Sequence, residues 1–418
     1  MSSGLYKALI DEEFLIPHEE VSQDLAQTEK AYKVIQPEQL DYISYPYEWC
    51  FSQLKDAALT TLRVQKIALK FDMSLKDSSA YNIQFHKGKP VFIDTLSFEK
   101  ANLEKPWIAY RQFCQHFIAP LALMSYSDVR LNQLLKVFID GIPLDLASSL
   151  LPRRTNFKFS LFTHIRLHAK SQQSYSDKVI KKKDHKMSRV GFLGLMDSLE
   201  RAIFHLKWEP KGTEWAEYYG DTNYPDEAFN QKKTIVSEFL RETKPEMVWD
   251  IGANVGVFSR LASELDIKTI AFDVDYSAVE KNFLECRKKD EARILPLLFD
   301  ATNPSPGIGW QNLERMSFAE RGPADTVLAL ALIHHLAISN NLPFSKIVNF
   351  FREVSKSLII EFVPKSDSQV QRLLANREDI FPDYTLANFI QEFEKSFSIK
   401  KRRQIEKSER ILFSMERS

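Results

Sequence analysis

Hydrophobic and polar positions in the second half of the chain follow two alternating patterns. Short apolar runs, typical of buried strands, are separated by segments with apolar residues at every third or fourth position, which are typical of amphipathic helices. The predicted strands are MVWDI (247–251), KTIAFDVD (268–275), ARILPLLFD (292–300), DTVLALAL (325–332) and SLIIEFV (357–363). The predicted helices cover 226–241, 256–264, 277–288, 344–356 and 385–395.

This alternation predicts an α/β fold with a Rossmann-like, doubly wound sheet. Strands that alternate with helices favour parallel pairing, because each helix returns the chain to the same edge of the sheet. Two last apolar segments, FSIKKRRQI and RILFSME, have no helix between them and predict an antiparallel C-terminal pair. A ligand site is then expected at the carboxyl ends of the parallel strands.

The first half of the chain is less regular and predicts a mostly helical α+β domain. Helices are expected near 19–35 and 46–71 and within 105–151, and YNIQF and PVFID around Gly88 indicate a hairpin.

Three regions follow as the predicted domain organisation. They are an N-terminal α+β domain at 1–170, a linker with a helical and aromatic lid at 171–230, and the α/β domain at 231–418. A further helix is expected over 188–206.

Composition adds little to this picture. Lys plus Arg and Asp plus Glu both number 56, so the formal net charge is zero and no basic footprint for nucleic acid is expected. Neither a signal peptide nor a membrane span is recognisable, and the three cysteines form no metal or disulfide pattern. We therefore expect a cytoplasmic protein without a metal site.

The segment with the clearest chemistry is Asp250-Ile251-Gly252-Ala253-Asn254-Val255-Gly256, which follows a strand and opens a helix. Gly252 would allow a tight turn and close approach to a ligand, Asn254 would tolerate a left-handed conformation, and Gly256 would allow close packing. Asp250 at the strand end would repel a diphosphate and favour a cation. This charge pattern favours S-adenosylmethionine, which has a sulfonium, an ammonium and no phosphate, over NAD.

Acidic residues also end the next two strands. Asp273 is placed to bind ribose hydroxyls, and Asp300 to accept a hydrogen bond from an adenine amino group. The ordered set of three acids resembles the class I S-adenosylmethionine-dependent methyltransferases. That resemblance, over residues 230–418, implies that Asp250, Gly252 and Gly256 hold the methionine part of the cofactor. The segment 295–338 also resembles a narrower group related to a bacterial host-specificity nodulation protein.

Two further parts of the site are expected from the same resemblance. His334 and His335 follow the fourth strand, where these methyltransferases face the acceptor, and either one, with His335 preferred, could take a proton from it. Tyr219 belongs to an aromatic segment that would cover the cofactor or join the domains. Lys232 and Lys233 are read as ordinary solvated lysines.

The N-terminal half contains a second pattern. Asp77, Asn82 and Asp94 have the spacing of the catalytic loop and metal-binding Asp of protein-kinase-like phosphotransferases. Leu75 stands where that family has His, and the only glycine before Gly88 is Gly4, so a phosphate-binding glycine loop is absent. A degenerate kinase-like domain and a coincidental hairpin both remain open.

The sequence as a whole predicts a methyltransferase for a small-molecule or glycan-type acceptor. The alternatives are a bifunctional protein with a kinase-like N-terminal domain, and a protein that binds the cofactor without turnover. An NAD oxidoreductase is disfavoured by Asp250.

Overall fold

The computed structural model describes residues 3–167, 188–210, 226–375 and 378–418. The chain divides into two compact units, Met1–Glu209 and Pro210–Ser418. Most of the predicted linker and lid lies outside the described residues.

In its described residues, the N-terminal unit is mostly helical, with three small antiparallel strand pairs. Its strands are β1 (His18–Val21), β2 (Val34–Pro37), β3 (Met73–Leu75), β4 (Ile83–His86), β5 (Lys89–Phe92) and β6 (Phe98–Lys100). β1 pairs with β2, β3 with β6 and β4 with β5. Its helices are α1 (Leu5–Asp11), α2 (Phe51–Lys70), α3 (Tyr110–Phe113), α4 (Ala119–Tyr126), α5 (Leu134–Val137), α6 (Leu144–Leu150), α7 (Phe159–Leu161) and α8 (Arg189–His205).

Among the predicted N-terminal elements, the helix over 46–71 and helices within 105–151 form, and one prediction is wrong. The hairpin and the helix over 188–206 form as expected. The helix predicted over 19–35 does not form, because the segment contains parts of β1 and β2 around a short 3-10 turn capped by Ser22. Its Glu, Gln, Lys and Ala residues favour a helix, but they offer no continuous apolar face to bury.

The C-terminal unit is built on one seven-stranded sheet. Its strands are β7 (Met247–Ile251), β8 (Lys268–Asp273), β9 (Ile294–Leu298), β10 (Ala324–Ala329), β11 (Ser355–Phe362), β12 (Phe397–Gln404) and β13 (Ile411–Arg417). Its helices are α9 (Asp226–Thr243), α10 (Val257–Glu264), α11 (Tyr276–Lys289), α12 (Phe344–Val354), α13 (Ser368–Leu374) and α14 (Leu386–Glu394).

The strand order is β12-β13-β11-β10-β7-β8-β9. Strands β7 to β11 are mutually parallel, and β13 is antiparallel to both β11 and β12. The Rossmann-like fold class and the antiparallel C-terminal pair are therefore confirmed.

The direction in which the chain adds strands to the sheet reverses at β7. The first crossover leads to β8 on one side, and β10 pairs with β7 on the other. The loops after β7 and β10 therefore separate at the carboxyl edge and leave a crevice, as in other open α/β sheets. The predicted site motif begins at this point.

Candidate functional site

The loop between β7 and α10 has an unusual backbone. Gly252, Asn254 and Gly256 all have positive φ, at 83°, 51° and 81°. Glycine takes this conformation without strain, and asparagine tolerates it better than most residues. The tight turn expected at Gly252 and the left-handed conformation expected at Asn254 are both present.

The backbone N–H groups of this loop already have partners within the protein. Those of Gly252 and Ala253 both donate to the carbonyl of Phe272 at 2.9 Å, and that of Gly256 donates to the carbonyl of Ala253 at 2.9 Å. The Asn254 N–H donates to Oδ2 of Asp273 at 2.7 Å.

The fifth N–H of the loop, that of Val255, donates to Oδ1 of Asn254 at 2.7 Å. A diphosphate is bound by free N–H groups that point at the ligand. The N–H groups of residues 252–256 are instead committed to the loop itself and to β8.

Gly256 contributes by packing and does not line the cavity described below. A β-carbon there would lie 2.5 Å from Oδ1 of Asn282 and 2.8 Å from a guanidinium nitrogen of Arg260. The close approach predicted for this glycine is therefore present between the start of α10 and helix α11.

A cavity of about 400 Å³ opens at the carboxyl edge of the sheet, above β7, β8, β9 and β10. Asp250, Asp273 and Asp300 all line it, so the structure brings the three predicted acids together. Gly252 and Asn254 line it as well. Its apolar wall includes Phe229, Ile251, Phe258, Val274, Phe299, Leu330 and Leu336.

Two of these acids are held where a negative charge is unfavourable. Asp250 is buried, and its Oδ2 accepts a hydrogen bond of 2.6 Å from Ser259 Oγ. Burial raises the pKa of Asp250 to about 6, the Ser259 hydroxyl opposes that rise, and the nearby Asp273 adds to it. Burial also raises the pKa of Asp273 to about 6. The hydrogen bonds that its carboxylate accepts from backbone N–H groups oppose that rise. A ligand cation would relieve both carboxylates.

Asp300, like Asp273, is partly exposed, whereas Asp250 is buried. Its Oδ1 accepts hydrogen bonds from the backbone N–H of Thr302 at 2.8 Å and from the Thr302 hydroxyl at 2.6 Å. These bonds orient the carboxylate at the rim of the cavity beside Phe299.

The two predicted catalytic histidines lie in different surroundings. His335 lines the cavity, and burial, with a smaller effect from Arg410, lowers its pKa to about 4. His334 is fully buried outside the cavity lining, and among the residues that the structure describes neither of its ring nitrogens has a hydrogen-bond partner. Burial, followed by His335 and Arg410, lowers the pKa of His334 well below its usual range. Both rings are therefore neutral at pH 7.

The interpretation of Lys232 as a solvated lysine is wrong. Lys232 is only 5% exposed, and its Nζ donates to Oε2 of Glu361, a residue with no exposed surface, at 2.6 Å. Burial lowers the Lys232 pKa, and the Glu361 carboxylate opposes that shift. Lys233, half-buried, lies over the Phe229 ring at 4.5 Å.

Sequence reasoning missed this buried pair and its neighbours. Arg410 lies 3.7 Å from the second Glu361 oxygen and makes two hydrogen bonds to Asp367, at 2.7 and 3.0 Å. A signal was available, because Lys232 falls on the apolar stripe of α9 and Glu361 interrupts an apolar strand.

Two other predictions concern Tyr219 and the kinase-like residues of the N-terminal unit. Tyr219 lies outside the described residues. In the N-terminal unit, Ser97 connects Asn82 to Asp94. The Asn82 Nδ2 group donates to the Ser97 hydroxyl at 3.2 Å, and the Ser97 hydroxyl donates to Asp94. Asp77 accepts the Ser79 N–H at 2.8 Å. The kinase-like reading of these residues stays a prediction.

The strand order, the loop after β7 and the cavity above it define a class I methyltransferase fold. The chain belongs to the family of nodulation protein NoeA. It is 36% identical to the NoeA protein of Rhizobium meliloti (strain 1021) over 420 residues, which cover 99% of this chain and 88% of the relative. No family model matches the chain.

Solved structures with a similar fold cover about half of the chain. Magnesium protoporphyrin IX methyltransferase from Synechocystis PCC 6803, solved with bound SAH, is 18% identical with a TM-score of 0.36 and covers 49% of this chain and 93% of its own. A putative O-methyltransferase from Nostoc punctiforme PCC 73102 is 15% identical with a TM-score of 0.37 and covers 49% and 60%. The bifunctional kinase-methyltransferase WbdD is 14% identical with a TM-score of 0.32 and covers 50% of this chain and 44% of its own.

A separate observation concerns membranes. In the described ranges, the helices are too short or too polar for any of them to cross a bilayer.

Proposed function

We propose that this protein is an S-adenosylmethionine-dependent methyltransferase. The observation that carries the proposal is the charge of the cavity. Three carboxylates line it, and its two cationic lining residues, Lys232 and Arg410, both face Glu361 outside the lining. The N–H groups of residues 252–256 are committed internally. Such a cavity suits a cationic nucleoside and disfavours a diphosphate.

Each part of the cofactor then has a proposed partner. Asp250 and the loop at Gly252 would hold the methionine part, Asp273 the ribose hydroxyls and Asp300 the adenine amino group. Gly252 takes its left-handed conformation without strain and lines the cavity without a side chain, so a ligand could approach its backbone closely. The wall at Val274 and Phe299 would pack on the adenine.

The acceptor would enter beside His335, Ser339 and Asn340, which line the cavity after β10. A small-molecule or glycan-type hydroxyl or amine suits this neutral polar wall. His335 is neutral at pH 7 and could accept a proton, but its pKa of about 4 makes it a weak base. Because the sulfonium is a good leaving group, in-line orientation and exclusion of water would carry much of the rate.

The test is transfer of labelled methyl groups from S-adenosylmethionine to the components of a metabolite and glycan extract, followed by mass spectrometry. We expect one labelled product class with the wild-type protein and none with Asp250→Ala. His335→Ala should slow transfer by about 10- to 100-fold while leaving cofactor affinity unchanged. Cofactor binding without any labelled product would instead favour a binding protein without turnover, and failure to bind the cofactor would reject the proposal.

A further inference from the structure

Ala331 lies in the cavity wall with an unfavourable backbone conformation. It is the second residue after β10, lines the cavity and has a φ of 51°. A residue with a β-carbon rarely adopts this left-handed conformation, and such residues cluster at functional sites where the surrounding structure holds them. A contact with the surrounding structure is therefore expected to hold Ala331 in this left-handed conformation.

The Glu361 carboxylate provides the contact. The N–H of Ala331 donates to Oε2 of Glu361 at 2.7 Å, and Lys232 Nζ donates to the same oxygen at 2.6 Å. Glu361 has no exposed surface, so this carboxylate stays charged only because cations face it. Lys232 comes from α9 and Glu361 from β11, so the pair ties two elements to the loop after β10.

The residues that follow Ala331 form the wall of the site. Leu332 faces Gly252, and its carbonyl accepts the N–H of His335 at 3.0 Å. His335 then begins a π-helical turn, His335–Ser339, whose first residue lines the cavity. The conformation at Ala331 therefore sets where Leu332 and His335 stand.

We propose that Glu361, paired with Lys232, is a positioning residue that holds Ala331 in its left-handed conformation and thereby places Leu332 and His335 in the cavity wall. The role in methyl transfer rests on the proposed function, whereas the hold on Ala331 does not. A buried ion pair contributes little net stability compared with apolar residues of the same volume. The Glu361–Lys232 pair would be required here for another reason, because an apolar residue at position 361 could not accept a hydrogen bond from the Ala331 N–H.

The first test replaces Ala331 and leaves the ion pair intact. Asn and Thr have nearly the same volume, but Asn tolerates the left-handed conformation and the β-branched Thr does not. We expect Ala331→Thr to lower kcat about tenfold more than Ala331→Asn, with similar affinities for S-adenosylhomocysteine. Equal kcat values and equal Tm values for the two variants would overturn the proposal.

The second test removes the charge of Glu361. Glu361→Gln should lower kcat about 10-fold or more with a smaller change in KM for the cofactor, and Ala331→Gly in the same chain should restore a large part of it. Ala329→Gly, in β10 two residues earlier, is the matched control and should restore nothing. A Glu361→Gln protein that Ala331→Gly rescues no better than Ala329→Gly would contradict the hold on Ala331.

Measurements of thermal stability test the positioning role of Glu361 separately from the proposed methyltransferase function. The Tm values of the same variants form a double-mutant cycle that needs no methyl acceptor. If no acceptor is ever labelled, a coupling between positions 361 and 331 in Tm still supports the positioning role, and additive Tm changes reject it.

Discussion

The two sides of the cavity in the C-terminal unit carry their charges differently. On the side of β7, β8 and β9, Asp250 and Asp273 receive their hydrogen bonds from a hydroxyl and from backbone N–H groups. On the side of β10 and β11, Glu361 is bonded to Lys232 and Asp367 to Arg410. Under the two proposals above, negative charge on one side would serve a ligand, whereas on the other it is neutralised within the protein and would hold the backbone.

The largest effect is expected from neutralising an acid on the ligand side. Asp250→Asn removes a charge that the cofactor cation would pair with, and it should weaken S-adenosylmethionine binding by about 10- to 100-fold in calorimetry. The same change relieves the free protein of a buried carboxylate whose pKa is raised to about 6. Its Tm at pH 7.5 without ligand should therefore rise by about 2–6 °C.

The matched control is Asp383→Asn at an exposed position of the same unit. It should change neither the affinity nor the Tm. If Asp250→Asn lowers the Tm of the free protein, the buried Asp250 carboxylate does not destabilise that protein. The contrast between the two sides of the cavity then fails.

The next largest effect concerns pH. Asp250 and Asp273 have pKa values near 6 without ligand, so both lose their charge as the pH falls below that value. Affinity for S-adenosylmethionine should improve as the pH rises from 5 to 7, by up to about tenfold per unit for each group that has to ionise.

Stability of the free protein should show the opposite dependence. A folded pKa raised above the unfolded value means that the folded state binds more protons, so these two groups lower the free energy of unfolding as the pH rises from about 4 to 6. Calorimetric titrations and thermal melts at each pH measure the two trends. An affinity that is constant from pH 5 to 7 would show that the carboxylates do not meet a cation.

The smallest effect is expected at the glycines. Gly256→Ala places a β-carbon 2.5 Å from Asn282 at a φ of 81°, and it should lower the free energy of unfolding by about 1–3 kcal/mol in denaturant melts. Gly194→Ala is the comparison in α8, where a β-carbon meets nothing within 4 Å. It should raise stability by about 0.5–1 kcal/mol. Equal effects at the two positions would mean that the start of α10 tolerates side chains.

Much of the ligand side was predictable from the sequence, for a geometric reason. Parallel strands end at one edge of a sheet, so acids that end three consecutive strands must approach each other. Asp250, Asp273 and Asp300 could thus be placed together without coordinates.

The neutralised side was not predictable in the same way. Lys232 and Glu361 are 129 residues apart and meet only because α9 packs beside β11. Each is recognisable by itself as a charge in an apolar pattern, but its partner depends on the packing. The missed strands of 19–35 have a similar cause, since local propensity favoured a helix that had no surface to bury.

The proposed function requires that the cavity bind a cationic nucleoside and exclude a diphosphate. Calorimetric titration of the wild-type protein with S-adenosylmethionine and, in parallel, with NAD measures this directly. We predict saturable binding of S-adenosylmethionine and no heat with NAD. Saturable binding of NAD, with none of S-adenosylmethionine, would contradict the proposed function.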